Sequence, residues 1–522
     1  ATPVAERYGG TAVVAGLGEL TALNEITSPD YDSDQVMAFV LFTTLVRYDE
    51  NLQPVPYLAE RWDTVRLGPD AIALTFHLRR DVRWHDGVPT TAHDVKFTFD
   101  RARDPAYAYP NPGFFTFYDS ARVADDYTIT FFLRPHSEFM DVWRAVSPMP
   151  RHILGDVGPR EMRTHPFNTQ EPVGNGPFRF VSHTSQDRWV FEANPDFPEG
   201  LGGRPYLDRL VYRVIPEEST LLTEFLTGRV HVSLLVLPEH AGRLEADPEA
   251  RLLSFPSRQY VFLAWNGRRP PFESADVRRA LAYAIDRRRI VDAVRSGYGI
   301  VAHGPIPPFH WAYDPDLEPL GHAPDSARAL LDRAGWTDED GDGVRERDGE
   351  PLRFEIKTNQ NRQREDILQL IQADLAKVGV QVRPRVLEWS TFVEDVVQRR
   401  EFDAFILGLV TEFRMDDSDL FACDRRDGPY QFAYYCNPRV DSILARAPQL
   451  ARREEALPLW HEYQRILTRD QPFHWLYYEV RPVGVRARLH GVRMDIRGTW
   501  ISAREWWIAP EDRVTPEERT SP

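Results

Sequence analysis

The sequence predicts an α/β protein with more than one domain. Its 522 residues exceed the roughly 100–200 residues of a typical single domain. A strand–helix–strand alternation runs through residues 352–387, which is typical of a parallel βαβ unit. Residues 403–410 (DAFILGLV) are apolar almost throughout, as expected for a strand buried on both faces of a sheet.

The N-terminal half is predicted to open with a strand over residues 11–16, followed by a helix over residues 34–45. Thr91 and Asp94 form the T-x-x-D pattern that begins a helix. Alternating apolar residues or short apolar runs predict further strands at 73–78, 128–133, 187–193 and 209–214.

The C-terminal half is predicted to contain several amphipathic helices. Residues 276–296 place apolar side chains on one face and stop at Gly297, which predicts one long helix. A second helix is expected over residues 326–334. The βαβ unit then consists of strand 352–357, helix 365–378 and strand 380–387.

Composition excludes several classes of protein. The 63 Lys and Arg against 79 Asp and Glu give a net charge of −16, which argues against a nucleic-acid partner. No apolar run reaches the length of a membrane span. The chain begins Ala1-Thr2-Pro3 without Met, so we expect that a signal peptide was removed, although a chain that never had one would look the same.

No catalytic residue or cofactor is predicted. His461-Glu462 fails the zincin pattern because position 465 is Arg, and neither a G-x-S-x-G elbow nor a P-loop occurs. Asp338, Asp340 and Asp342 resemble the start of a calcium loop, but residue 349 is Gly where a bidentate Glu is required. An acidic hairpin is the alternative, and it is the one we prefer.

Cys423 and Cys436 are the two cysteines of the chain. A disulfide between them would close a short loop and imply an oxidising compartment. Two buried free thiols remain the alternative at this point.

Four stretches, in order, resemble signatures of one family. Residues 78–105 are similar to L-R-x-x-V-x-W-H-D-G-x-x-x-T-A-x-D-V-x-F-T, and residues 172–180 (PVGNGPFRF) to P-V-G-T-G-P-[FY], with Asn175 in place of Thr. Residues 265–291 and 371–392 match the same family. It is the extracellular solute-binding protein family 5, the dipeptide- and oligopeptide-binding receptors of ABC importers.

The resemblance implies a periplasmic-binding-protein-like class C fold, with two hinged α/β lobes and an extra N-terminal subdomain. Lobe I would comprise residues 1–48, 168–264 and 482–522, and lobe II residues 265–481. The inserted subdomain would be 49–167. Trp84 and His85 lie in a signature that we interpret as structural.

The same resemblance suggests the ligand-binding residues. Family peptide binders hold the α-amine with an acid after a strand of lobe II, a position that corresponds to Glu412. Asp416 or Asp417 could be the anchor instead, or the acidic run could be a solvated loop. Trp389 matches a pocket aromatic, with a core tryptophan as the alternative.

Thr358 and Asn359 resemble the oligopeptide-binding version of a strand end. The arginine with which dipeptide binders clamp a carboxylate near position 358 is absent, so strict dipeptide specificity is not expected. Arg362 could supply the clamp or could be a surface residue at a helix start. The Cys423–Cys436 loop also resembles a disulfide loop of dipeptide-binding members.

The predicted function is capture of a peptide or another small solute by closure of two lobes, and delivery to ABC-transporter permease subunits. We expect a monomer in the periplasm or outside the cell, with a lipid anchor as an open alternative. Oligosaccharide capture on Trp389, Trp265 or Trp500 is the competing hypothesis within the family. Capture of a nickel chelate or haem is less expected. A secreted hydrolase is also less expected, because the sequence contains no catalytic motif.

Overall fold

The computed structural model describes residues 3–28, 30–110, 112–136, 139–411, 413, 415–428, 430–450 and 452–513. It divides into two compact units. Unit 1 comprises Ala1–Pro135, Phe139–Phe255 and Arg481–Pro522, and unit 2 comprises His136–Glu138 and Pro256–Val480.

The strands in chain order are β1 (Thr11–Gly16), β2 (Val46–Tyr48), β3 (Pro54–Pro56), β4 (Ala59–Gly68), β5 (Ala71–Leu78), β6 (Tyr118–Asp125), β7 (Thr128–Leu133), β8 (Phe178–Thr184), β9 (Arg188–Ala193), β10 (Arg209–Val214), β11 (Val232–Ser233), β12 (Ala250–Trp265), β13 (Gly299–Val301), β14 (Glu346–Arg347), β15 (Glu350–Pro351), β16 (Arg353–Asn359), β17 (Gln381–Leu387), β18 (Ala404–Val410), β19 (Phe473–Arg486), β20 (Leu489–His490) and β21 (Trp507–Ile508). The helices are α1 (Tyr31–Val36), α2 (Ala92–Arg103), α3 (Asp141–Ala145), α4 (Arg151–Leu154), α5 (Pro159–Met162), α6 (Glu218–Leu226), α7 (Ala241–Glu245), α8 (Ala275–Ala284), α9 (Arg287–Arg295), α10 (Pro324–Arg333), α11 (Arg362–Ala376), α12 (Trp389–Val393), α13 (Ser418–Phe421), α14 (Pro438–Arg446) and α15 (Arg453–Asp470).

Unit 1 holds a mixed sheet in the order β19-β11-β1-β10-β9-β8. β1 lies parallel to β10 and β11, while β9 pairs antiparallel with β10. A separate sheet in the order β4-β5-β7-β6 has its own aromatic core. There, Phe131 and Trp143 pack with ring centroids 4.2 Å apart.

The family-like motifs of unit 1 contact one another. Trp84 is buried, and the backbone N–H of His85 donates to the carbonyl of Gly174 over 2.7 Å. A Cβ on Gly174 would lie 2.0 Å from a backbone carbonyl oxygen, so only glycine fits. Asn175 accepts from the N–H of Thr43 over 2.8 Å. These motifs therefore build the scaffold, as the sequence predicted for Trp84 and His85.

In unit 2 the strands lie in the order β17-β16-β18-β12-β19, in mixed directions, with β13 paired to β19. β16 is parallel to both β17 and β18, which confirms the predicted βαβ unit. Along β12 and β18, alternate side chains enter two different cores. The strand β18 is thus covered on both faces, as its continuous apolar sequence predicts.

Two predicted helices differ from those in the structure. Residues 276–296 form α8 and α9 because the side chain of Asp286 accepts from the N–H of Arg289 and starts a new helix. The helix expected over residues 34–45 begins earlier, at Tyr31, and ends in a wide π-type turn, Met37–Leu41. The α/β prediction itself is confirmed. Within the described ranges, the helices are too short or too polar to cross a membrane.

Candidate functional site

The parallel strands β16, β17 and β18 of unit 2 end on the same side of the sheet. Asn359 pairs with Leu387 in the register of β16 and β17, and β16 and β18 run in the same direction. We call this the C-terminal edge: the ends of these three strands and the loops that follow them. In open α/β sheets ligands bind outside such ends, and those predicted ligand-binding residues that the structure describes lie in or beside these loops.

Arg364 lies in the first turn of α11, the helix that follows β16, and its side chain reaches this edge. Its Nη1 donates to Oδ1 of Asn359 over 2.6 Å. A Cβ on Gly408 would lie 3.2 Å from its Nη2, so the guanidinium rests against the end of β18. Burial lowers the pKa of Arg364, and among the described residues it forms no ion pair with a carboxylate. The side chain is therefore a partly desolvated cation with free donors.

The other predicted residues near β16 have different environments. Thr358 is fully buried and its hydroxyl donates to the carbonyl of Ile406 over 3.3 Å, so in this conformation it supports the strand end. Asn359 is partly exposed and orients Arg364. Arg362, the first residue of α11, is exposed.

Trp389 follows β17 and begins α12. The carboxylate of Glu388 caps this helix by accepting from the N–H of Ser390 over 2.8 Å. The indole is 53% exposed and stacks on Phe392 with ring centroids 5.9 Å apart. It is an aromatic surface at the C-terminal edge and not a core residue.

The acidic loop after β18 is only partly described. Glu412, the first choice for an amine anchor, lies outside the described residues. Asp416 is exposed. Asp417 is partly buried, and its Oδ2 accepts from the hydroxyl of Tyr463 over 2.6 Å.

Asp417 is electrostatically unusual. Burial raises its pKa to about 6, against the lowering effect of the Tyr463 hydroxyl, and the nearby Asp416 raises it further. The residue forms no ion pair within the described part of the chain. A carboxylate that has lost water without gaining a cation is well suited to bind an ammonium group.

Sequence reasoning missed Arg364 and Tyr463. A signal for Arg364 was present, because residues 364, 367, 368 and 371 recur at helical spacing on the side of α11 that packs on the sheet. The sequence instead suggests Arg362, with a surface position at the helix start as its alternative, and the structure places Arg362 at the exposed start of α11. Nothing local in the sequence pointed to Tyr463, which lies 46 residues from Asp417.

Two tryptophans proposed as sugar platforms are in the cores, so that expectation was wrong. Trp265 has no exposed surface and stacks on Phe272 with centroids 5.3 Å apart. Trp500 is 1% exposed and stacks on Trp506. Each indole is large and apolar, and each fills space beneath a sheet or loop of its own unit.

The calcium candidate forms an acidic hairpin loop. The carboxylates of Asp338, Asp340, Asp342 and Glu346 come within 4.8 Å of one another. The aspartate oxygens accept from loop amides, among them the N–H of Gly341 to Asp338 over 2.8 Å. The three aspartates are exposed, and their hydrogen bonds fit a turn that leads into β14 and β15.

Cys423 and Cys436 form a disulfide with an S–S distance of 2.06 Å. The bond joins the segment after α13 to the segment before α14. The guanidinium of Arg400 donates to carbonyls inside the closed loop, including that of Gln431 over 3.1 Å. The loop that follows the acidic segment is therefore fixed at both ends.

Comparison with known proteins places the chain in a family. Residues 53–428 match the model of the bacterial extracellular solute-binding proteins, family 5 Middle. The oligopeptide-binding protein AppA of Bacillus subtilis is 29% identical over 96% of this chain and 92% of its own length. The dipeptide-binding protein of Escherichia coli is 26% identical over 90% of this chain and 88% of its own.

Solved structures agree with this placement. The structure of AppA from Bacillus subtilis in complex with a nonapeptide has a TM-score of 0.76, 29% identity, and coverage of 97% of this chain and 100% of that one. NikZ from Campylobacter jejuni in complex with Ni(L-His) has a TM-score of 0.77 at 26% identity, over 95% of this chain and 99% of that one. The chain belongs to family 5 of the bacterial extracellular solute-binding proteins.

Proposed function

We propose that this chain captures peptides for import by an ABC-transporter permease, and that binding, without catalysis, is its activity. The observation that carries the proposal is a pair of opposite charges at the C-terminal edge, neither of which forms an ion pair with another described residue. Arg364 offers a partly desolvated guanidinium, and Asp417 offers a partly buried carboxylate. The similarity to AppA over nearly the whole chain supports the same ligand class.

A peptide with free ends carries both of the complementary charges. Its carboxylate would accept hydrogen bonds from Arg364, and its ammonium group would lie against Asp417 or against Glu412. Each contact would pair a group that has already lost part of its hydration, so it would be stronger than the same pair in water. We propose that one of Glu412, Asp416 and Asp417 holds the amine of the peptide.

The remaining edge residues would select ligand shape. Trp389 offers an exposed ring for an apolar side chain, while Asn359 holds Arg364 in place. Main-chain groups at the strand ends would bind an extended peptide backbone, which leaves side chains loosely selected. Thr358 would act by supporting β16, and Arg362 would stay at the periphery.

Capture would follow the hinge mechanism that the family resemblance implies. The two long strands β12 and β19 each pass from one unit to the other, at residues 255–256 and 480–481. A ligand that binds the closed form more tightly would shift the population towards it. We place the monomeric protein in the periplasm or outside the cell, with residues 49–167 as an inserted subdomain.

Mass spectrometry of small molecules released from the denatured, freshly purified protein tests the function. Released peptides, or saturable calorimetric binding of a peptide with free ends, would support the proposal. Glycans alone, or no binding across a peptide library, would refute it. Oligosaccharide capture is disfavoured because neutral sugars leave both charges unpaired and because two of its three platforms are buried.

A further inference from the structure

A cavity of about 420 Å³ lies within unit 1. Its wall comes from the hairpin of β2 and β3, the wide turn Met37–Leu41, helix α3 and the segment 493–501. Cavities of roughly 300–1,000 Å³ are typical of small-molecule sites. Every residue of this wall belongs to unit 1, so the cavity is distinct from the C-terminal edge of unit 2.

Four arginines line this cavity, and three of them have a carboxylate partner. The three pairs are Arg144 with Asp141 at 3.1 Å, Arg497 with Asp495, and Arg493 with Glu505. The fourth is Arg47, which extends from the middle of β2. Asp49 and Glu50 also line the cavity; Asp49 accepts from the N–H of Gln53 over 2.8 Å, and Glu50 is exposed.

Within the described part of the chain, Arg47 has no carboxylate at ion-pair distance. Its guanidinium stacks on Tyr57 at 3.7 Å, and its Nη2 reaches the carbonyl of Ala38 only at 3.5 Å. Its Nε is buried without a hydrogen-bond partner, and among the described residues the side chain forms no ion pair. Burial lowers the pKa of Arg47. Arg47 is partly buried, and a cation that has lost part of its hydration and has an unsatisfied buried donor is costly unless something pairs with it.

We propose that this cavity of unit 1 is a binding site for a small oxyanion, a carboxylate or a phosphate, held by the guanidinium of Arg47. The planar fork of an arginine matches two oxygens of such a group. The ring of Tyr57 fixes the plane of that fork, so little side-chain freedom is lost on binding. The site goes beyond the peptide-binding function and does not depend on it.

Calorimetric titration of the full chain with inorganic phosphate, acetate and citrate, at constant ionic strength, tests the site. We expect saturable one-to-one binding of at least one anion, and the three probes separate phosphate from carboxylate recognition. Arg47→Gln should abolish it. Arg47→Lys keeps the charge but not the fork, so binding should weaken by about tenfold. Arg61→Gln removes an exposed arginine of the same unit and should leave binding unchanged.

Each outcome decides the proposal. Lost binding in Arg47→Gln with retained binding in Arg61→Gln supports it, and if Arg47→Gln does not fold, the weakening in Arg47→Lys decides. Absence of saturable binding of all three anions overturns it, as does equal binding to Arg47→Gln or Arg47→Lys. If Arg364→Gln, and not the change at Arg47, removes the response, the anion binds at the C-terminal edge and the proposal is also overturned.

Discussion

Arg364 should discriminate between peptides with a free carboxylate and peptides with an amidated C-terminus. Its Nη1 is held by Asn359 at 2.6 Å, which leaves the Nε and Nη2 donors for a ligand. Hydrogen bonds to charged groups contribute about 2 kcal/mol in net terms. Such a loss corresponds to about thirtyfold in Kd. We therefore expect the Arg364→Gln protein to bind a free peptide about thirtyfold more weakly.

The assay is isothermal titration calorimetry of a peptide in its free-acid and amidated forms with three proteins. The wild type should prefer the free acid by about thirtyfold, and Arg364→Gln should lose most of this preference. Arg362→Gln is the matched control, because Arg362 is exposed and lies two positions earlier in the sequence. Equal preference in the wild type and Arg364→Gln, or loss of preference in Arg362→Gln, would refute the reasoning.

Three other outcomes are expected. Trp389→Ala should weaken peptide binding by about tenfold, on the order of 1 kcal/mol, with an unchanged melting temperature, because the ring is 53% exposed. The raised pKa of Asp417, about 6, means that its neutral form is favoured in the folded state. The contribution of Asp417 to stability is therefore most favourable below its ordinary pKa and is lost as the pH rises through 6. Asparagine does not titrate, so the free energy of unfolding of Asp417→Asn relative to that of the wild type should rise by about 2 kcal/mol between pH 4 and pH 7. Urea unfolding at several pH values measures this difference. Replacing Cys423 and Cys436 by Ser should lower the free energy of unfolding by about 3 kcal/mol, and thiol titration of the denatured, unreduced wild type should detect no free thiol.

Controls and contrary results differ among these three experiments. Tyr430→Ala removes an equally exposed aromatic residue, and a matching loss of affinity there would discount Trp389. A constant stability difference between Asp417→Asn and the wild type from pH 4 to 7 would contradict the assigned pKa. Two reactive thiols in the denatured protein would rule out the disulfide.

Local patterns predicted most elements because their causes are local. The strand at residues 128–133 was predicted without error from its alternation. The helix start at Thr91 was found because both partners of its capping box, Thr91 and Asp94, lie within one turn. The single helix predicted at 276–296 was wrong, because Asp286 caps a second helix within it. The break was missed because the helical periodicity of apolar residues continues across it.

The candidate site was predicted in outline and missed in detail. The sequence placed Asn359, Trp389 and Asp417 after strands, and parallel topology brings those strand ends to one edge. Which side chains carry free charge there depends on packing. The contact of Asp417 with Tyr463 joins residues 46 positions apart, and such contacts leave no local pattern.

By itself the sequence determined the α/β class and the βαβ core, because these follow from periodicity and short spacing, and its four ordered motifs carried the resemblance to the family. Only the tertiary structure decided that Arg364, and not Arg362, faces the end of β18, since that depends on how α11 docks on the sheet. It also decided that Trp389 is exposed while Trp265 is buried. Burial depends on how the helices and strands pack together. Packing therefore decides which charged side chains of the candidate site, such as Arg364 and Asp417, lose part of their hydration.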